Sequence, residues 1–291
     1  MILSNPQKKA KGMSRSAAHA IKLTICYTLV AILCATFLLP FYWMIRSALM
    51  DQGQLFRYPI QFFPNPIVWE NIPYALNSQP FPLFFRNTIF LVIMNMAGVV
   101  ITSSMAGYAF SRLKWRGKKV VFYCLLSTMM IPGFTTLIPT FLIWSALGFH
   151  NTYIPLIFPA WMGGGAFSIF LSRQFFMTIP KELDEAALID GAGHWKIFWV
   201  ILMPLLKPVL AVLAIFTFMG TWNDLLGPLI YLRDRNLFTL SLALASFRGP
   251  FGGRMDFLMA ASAIVTLPMI VVFFFFQRYF IEGVTLTGIK G

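Results

Sequence analysis

The sequence predicts an all-α, polytopic membrane protein with six transmembrane helices, and three observations carry that prediction. Hydrophobic residues make up 58% of the 291-residue chain and charged residues only 11%, where a soluble domain carries about 25% charged residues. Six segments are each long enough to span a bilayer, which takes about 20 apolar residues, and only one of them contains a charge. The basic residues between those segments fall mostly on alternate sides, as membrane topology demands.

The elements follow in order. A basic tail, residues 1–22, leads into a first span at 23–45, which is too long for the core of a signal peptide and has no evident Ala-x-Ala cleavage site. The region from Arg46 to Arg86 is rich in proline, including Pro59, Pro64, Pro66, Pro73, Pro80 and Pro82. It reads as an ordered loop or short helices at the membrane surface. The second span is 87–111. The third is 120–147, with kinks expected at Pro132 and Pro139. The fourth is 151–172 and holds the run Gly163-Gly164-Gly165. The fifth is 208–232 and carries the one intramembrane charge, Asp224. The sixth is 257–277, followed by a tail at 281–291. Prolines inside spans are tolerable where neighbouring helices or water satisfy the freed carbonyls.

Orientation follows from the lysines and arginines. With the N-terminus inside, every lysine falls on the inner side together with Arg15, Arg112, Arg116, Arg173 and Arg278. The outer segments hold only Arg46, Arg57, Arg86, Arg233, Arg235, Arg248 and Arg254. Both termini and the loop at 178–204 are therefore cytoplasmic. The net charge of +13 has its simplest cause in this topology, so no nucleic-acid partner is inferred. Cys26, Cys34 and Cys124 lie in apolar segments without metal-ligand spacing and read as small buried hydrophobes.

Several chemistries are missing. No phosphate-cradling G-x4-G-K-[ST] loop is present, because Gly163-Gly164-Gly165 lacks the following Lys and Ser/Thr. His19, His150 and His194 are scattered, so no metal site and no catalytic set is expected. A transporter driven by an ion gradient usually carries ionisable groups deep in its spans. Asp224 lies 17 residues after Lys207, roughly 25 Å along a helix and close to the outer surface. The energy source is then another chain.

The loop at 178–204 is the one acidic, amphipathic segment. Ile179, Leu183, Ala186 and Ala187 share a face at helical spacing. Pro180 suits a helix start, and Glu182, Asp184 and Glu185 suit its positive end. Gly191 and Gly193 break this helix, and a second short one, 194–203, runs to Pro204. On spacing alone, a docking element and a surface loop with acidic caps both fit.

The run Glu185-Ala186-Ala187-Leu188-Ile189-Asp190-Gly191, followed after nine residues by Ile201-Leu202-Met203-Pro204, resembles the EAA loop of ABC-importer permeases, EAA-x3-G-x9-I-x-L-P. Met203 replaces the leucine. The stretches Tyr108-Ala109-Phe110-Ser111-Arg112-Leu113 and Thr221-Trp222-Asn223-Asp224, and the ending Gly283 to Gly291, are similar to the carbohydrate branch, the MalG-like permeases. The resemblance implies a type I ABC importer permease fold, with Glu185, Ala186, Ala187, Asp190, Gly191 and Pro204 coupling to an ATPase, and Gly288 and Lys290 contacting it. It also implies a second, MalF-like permease, two copies of an ATPase subunit that bind ATP and Mg, an external substrate-binding protein, and residence in the bacterial or archaeal cell membrane. No cofactor and no enzymatic activity are expected in this chain. The expected cargo is a carbohydrate, with a polyol or glycerol phosphate as alternative; a membrane enzyme or scaffold is the remote one.

Polar and small groups inside spans must face protein or water. Asn95, Gly163, Gly164, Gly165, Asn223 and Asp224 are accordingly candidates for the translocation path, and helix packing is an equal account of Asn95 and the glycines. Trp43, Trp144, Trp161 and Trp222 offer aromatic faces for a sugar, as well as interfacial anchors.

Overall fold

The computed structural model describes residues 15–249 and 253–288, with side chains described between residues 19 and 277. Its order is α1 (Arg15–Ala48), α2 (Gln52–Leu55), α3 (Asn71–Asn77), α4 (Phe81–Ser111), α5 (Lys118–Ser127), α6 (Gly133–Ala146), α7 (Ile154–Trp161), α8 (Ala166–Thr178), α9 (Glu182–Ile189), α10 (His194–Lys196), α11 (Met203–Leu205), α12 (Lys207–Asn223), α13 (Leu226–Tyr231), α14 (Leu240–Ser246) and α15 (Met255–Gly288). Four stretches are long and apolar enough to cross a membrane without a sharp bend: 19–48, 81–111, 154–178 and 255–277. Two further pairs, α5 with α6 and α10–α11 with α12, each bend sharply at a short break, by 104° and 79°. Counting each bent pair as one span gives six.

The breaks have local causes. The second span starts at Phe81, earlier than expected, because Pro82 fits the first helical turn, where no N–H partner is lost. Ile131 is extended, at φ −84° and ψ 119°, as a residue before proline prefers. The chain therefore turns at Pro132, and α6 continues through Pro139. The fourth span is interrupted between Trp161 and Ala166, where Gly163, Gly164 and Gly165 all have positive φ (96°, 64° and 89°), a conformation that costs an L side chain about 1–2 kcal/mol. The fifth ends at Asn223, nine residues before the expected limit, because Asp224 takes an extended conformation and begins the turn into α13.

α4 is the spine. At one end Phe81, Phe84 and Val92 join Trp222, Phe218, Leu240, Ala243 and Ala260 in a buried cluster. At the other end Tyr108 joins Phe176, Phe198, Leu202 and Leu206. Between them α4 presents Asn95, Gly98, Val99, Ser103, Ser104 and Gly107, all buried, and a methyl at Gly98 would lie 2.8 Å from the Trp161 ring. Small residues let helices approach in lipid, where no hydrophobic effect drives them together. A methyl at Gly107 would lie 2.6 Å from Ser172 Cβ and 2.9 Å from the Arg173 backbone nitrogen.

Two expectations are corrected. Cys26, Cys34 and Cys124 are exposed, because the apolar faces carrying them point away from the rest of this chain. Trp222 is 2% exposed, its ring stacked on Phe218 and its Nε1–H donated to the Val265 carbonyl. It offers no face to a sugar.

Gly107→Val is expected to force α4 from α8 and destabilise the protein by about 1–3 kcal/mol. Gly220→Ala, where nothing lies within 4 Å of the added methyl, should be neutral. Thermal unfolding in detergent reads both; equal midpoints would mean that close α4–α8 contact is not required.

Candidate functional site: the α9 loop and its seat

α9 is terminated by backbone geometry. Gly191 sits at φ +78°. The Ala192 N–H donates to the Ala187 carbonyl at 2.9 Å and the Gly191 N–H to the Leu188 carbonyl at 3.1 Å. These two bonds form a Schellman motif, and its customary apolar contact is supplied by Ala187 and Ala192, which both pack in the cluster around Tyr108. The following helical run contains a π-helix at Ile197–Leu202. Pro204 explains it: proline has no N–H for the carbonyl four residues back, and its ring would collide there. The wider turn relieves the collision. The run passes through Pro204 to Leu205 and does not end at the proline.

The inner face of α9 differs from the expected one. Ala187 is buried, while Leu183 and Ala186 are exposed. The residue turned inward one helical turn before Ala187 is Asp184. Its Oδ2 lies 3.0 Å from Arg112 Nε, with the side chains 5% (Arg112) and 15% (Asp184) exposed. Arg112 also donates from Nη2 to the Ile179 carbonyl at 2.7 Å. One arginine at the end of α4 thus holds both the approach to α9 and its first turn. Beside it the Tyr108 hydroxyl and His194 Nδ1 are 3.2 Å apart, and the Tyr108 ring packs against Phe176 and Phe198. The Arg112–Asp184 and Tyr108–His194 contacts were missed in the sequence. The available signal was Asp184 at i, i+3 from Ala187.

The opposite face of α9 carries Glu182, Glu185, Ala186 and Asp190, with the exposed apolar side chains Leu183, Leu188 and Ile189 among them; Ile189 is 87% exposed and nearby Trp195 65%. Such an apolar patch rimmed by charge is characteristic of a protein-binding surface.

The remaining expected residues fall in separate places. Asn95 is buried between α4 and α12, donating to Thr221 Oγ1 at 3.2 Å. The Gly163 N–H donates to Thr102 Oγ1 at 3.1 Å, and Gly164 abuts Val99. Asn95 and the glycines therefore lie along α4. Asn223 is exposed at the end of α12. Asp224 is occupied as a cap: its Oδ1 accepts from the Gly227 N–H at 3.0 Å. Lys290 lies outside the described residues, and Gly288 is described only as the last residue of α15.

A family model described as "Binding-protein-dependent transport system inner membrane component" matches residues 98–285, from the stripe of α4 through the α9 loop to the last helix. The chain belongs to this family. It is a transport permease, embedded in the membrane. Relatives include the arabinooligosaccharides transport system permease protein AraQ of Halalkalibacterium halodurans, 34% identical over 92% of this chain and 96% of that protein. The melibiose/raffinose/stachyose import permease protein MelC of Bacillus subtilis is 34% identical over 94% and 99%. The sn-glycerol-3-phosphate transport system permease protein UgpE of Yersinia pestis is 32% identical over 89% and 94%. A chain from a bacterial ABC transporter involved in import of the acidic polysaccharide alginate has the same fold, with a TM-score of 0.79 at 23% identity over 93% of this permease and 100% of that chain.

Burial pushes the Asp184 carboxyl above the usual aspartate range, Arg112 pulls it back, Glu185 adds to the rise and His194 opposes it. An upward shift means that the folded permease holds this proton more readily than the unfolded chain. The group's contribution to stability therefore grows as pH falls through the raised value towards the ordinary one and declines as pH rises through it. The pair fixes position more than it adds net stability. Arg112→Gln or Asp184→Asn should each loosen α9 by about 1–3 kcal/mol by stranding the other partner, and the double variant should cost less than their sum. Hydrogen exchange of the α9 amides measures this; strictly additive loosening would mean that the two groups act independently.

Proposed function

We propose that this permease is one of two in an ATP-driven, binding-protein-dependent importer, and that α9 is where an ATPase subunit seats. The observation carrying the reading is the two-sided build of α9: Arg112, Asp184 and Ala187 fix one face to the cluster around Tyr108, while Leu183, Leu188 and Ile189 leave the other uncovered. A rigidly mounted element with an exposed apolar patch transmits displacement from one protein to another. The proposed assembly holds a MalF-like second permease, two ATPase copies that bind ATP and Mg, and an external substrate-binding protein. The lysine distribution supports placing α9, both termini and Lys290 on the cytoplasmic side, within reach of the ATPases.

The mechanism runs through the seat. Closure of the ATPase dimer on ATP carries α9 with it. Arg112 passes the motion to α4, and the π-helix and bend before α12 let α12 follow on a different axis. The spans rock to an outward-facing state that takes cargo from the binding protein, and hydrolysis reverses the motion. Asn223, at the exposed end of α12, is proposed to line the outer mouth. The cargo is proposed to be a carbohydrate, a reading supported by the oligosaccharide named for two of the three relatives. The third names a glycerol phosphate, which keeps that cargo as the alternative.

The test is uptake and ATP hydrolysis by the reconstituted complex with binding protein loaded from a panel of oligosaccharides and with glycerol 3-phosphate. Gly191→Val should strain the Schellman turn by about 1–2 kcal/mol and uncouple hydrolysis from uptake, while Gly191→Asn, able to take the left-handed conformation, should retain most uptake. Glu185→Lys should weaken retention of the ATPase. Normal uptake by both Gly191→Val and Glu185→Lys would make α9 a passive connector. Stimulation by glycerol 3-phosphate alone would replace the carbohydrate reading.

A further inference from the structure

The turn joining α4 to α5 borders an open cleft of about 750 Å3 that the coupling mechanism leaves unused. Lys114, Lys118, Lys119 and Arg173 line it together with Phe110, Trp115, Phe122 and Tyr123. No carboxylate lines it, and the chain has no Asp or Glu between Glu70 and Glu182. Arg112, before the turn, is already matched by Asp184, and Arg116, within it, does not line the cavity. The cavity is therefore a concentration of positive charge without an internal counter-charge.

Two of its cations are held in place. Lys118 Nζ donates to the Leu113 carbonyl at 2.8 Å and the Ser111 carbonyl at 3.3 Å. Arg173 Nε donates to the Phe110 carbonyl at 3.3 Å, and its guanidinium carbon stands 4.3 Å from the centre of the Phe122 ring. These bonds use one edge of Arg173 and leave its terminal amino groups without a protein acceptor among the described residues. Lys114 and Lys119 are exposed and form no ion pair there. Long basic side chains at a span end ordinarily snorkel outward into water; here four of them, from α8, from the turn and from α5, border one concavity.

The position narrows the ligand. Ser111 ends α4 and Lys118 begins α5, both parts of membrane spans, so the cavity lies at the boundary between bilayer and water. Val120, Val121 and Tyr123 continue from it as an exposed apolar wall. Trp115 and Tyr123 are of the residue types that sit at headgroup depth. A small soluble anion would use the cations and leave the wall unused, whereas a lipid uses both.

We propose that this cleft binds the phosphate of an anionic phospholipid, with Arg173, Lys118, Lys114 and Lys119 around the headgroup and the acyl chains along Val120, Val121 and Tyr123. The site is distinct from the α9 surface and does not depend on the cargo. It lies at the same end of α4 as Arg112, so an occupying lipid would tie α5 to α8 beside the mount of α9. On the cytoplasmic side, where anionic lipid is concentrated, a juxtamembrane lysine contributes about fivefold in affinity.

The assay is native mass spectrometry of the delipidated complex of this permease with its partner subunits, supplied with phosphatidylglycerol, phosphatidylcholine or inorganic phosphate. Phosphatidylglycerol should be retained at least tenfold more strongly than phosphatidylcholine, and inorganic phosphate should not displace it. The double variant Lys114→Gln/Lys119→Gln should weaken retention by about 25-fold, about fivefold for each lysine. Equal retention of the two lipids, displacement by phosphate at comparable concentration, or unchanged retention in the double variant would overturn the proposal. Should the variant not assemble, a salt titration of the unmodified complex decides: lipid retention unaffected between about 0.05 and 0.5 M salt is incompatible with a charge-held headgroup. Cross-linking from position 119 to a partner subunit in the lipid-saturated complex would also overturn it, by making the cleft a subunit contact.

Discussion

Close approach of α4 to the broken fourth span is the constraint on which the rest of the permease depends. In lipid, apolar side chains gain nothing by leaving their solvent for each other, so helices associate through short-range packing and hydrogen bonds. α4 meets that condition with Gly98 against Trp161, Val99 against Gly164, Thr102 bonded to the Gly163 N–H, and Gly107 against Ser172. The opened glycine turn frees backbone N–H groups from the helical ladder, and the Thr102 hydroxyl satisfies that of Gly163. Break and spine are thus two halves of one arrangement.

From this spine the two ends acquire different characters. The end that begins at Phe81 is locked by side chains reaching into neighbouring backbone: Asn87 donates to the Asn236 and Phe238 carbonyls, and Thr88 accepts from the Leu240 N–H. The end at Ser111 is held by rings around Tyr108 and, among the described residues, by one ion pair, Arg112 with Asp184.

The sequence revealed the elements whose cause is local and missed those whose cause lies across the fold. Span count, the turn at Gly191 and the break at Pro132 follow from composition, glycine and proline. The limit of α12 was misplaced because apolar residues run on past Asn223, and only Asp224 capping α13 marks the end. The inner face of α9 was misread because Leu183 looked like the apolar choice, while Arg112, 72 positions earlier in the chain, makes the acidic Asp184 the inward one. The π-helix was invisible for a related reason: Pro204 announces a disturbed helix, and whether it stops or widens depends on how Ile197, Phe198 and Leu202 are buried.

α1 raises the question of biogenesis. Its apolar residues from Ile21 to Ile45 are mostly exposed, and the helix it packs against is α15, the last of the described helices. At a synthesis rate of about 5–20 residues per second, α1 waits roughly ten seconds to a minute in the bilayer before its neighbour exists. It must persist alone during that interval, which accounts for a helix apolar on every side, with its backbone bonds satisfied internally. Among the described helices, α1 therefore meets its neighbour only after the helices between them have been made.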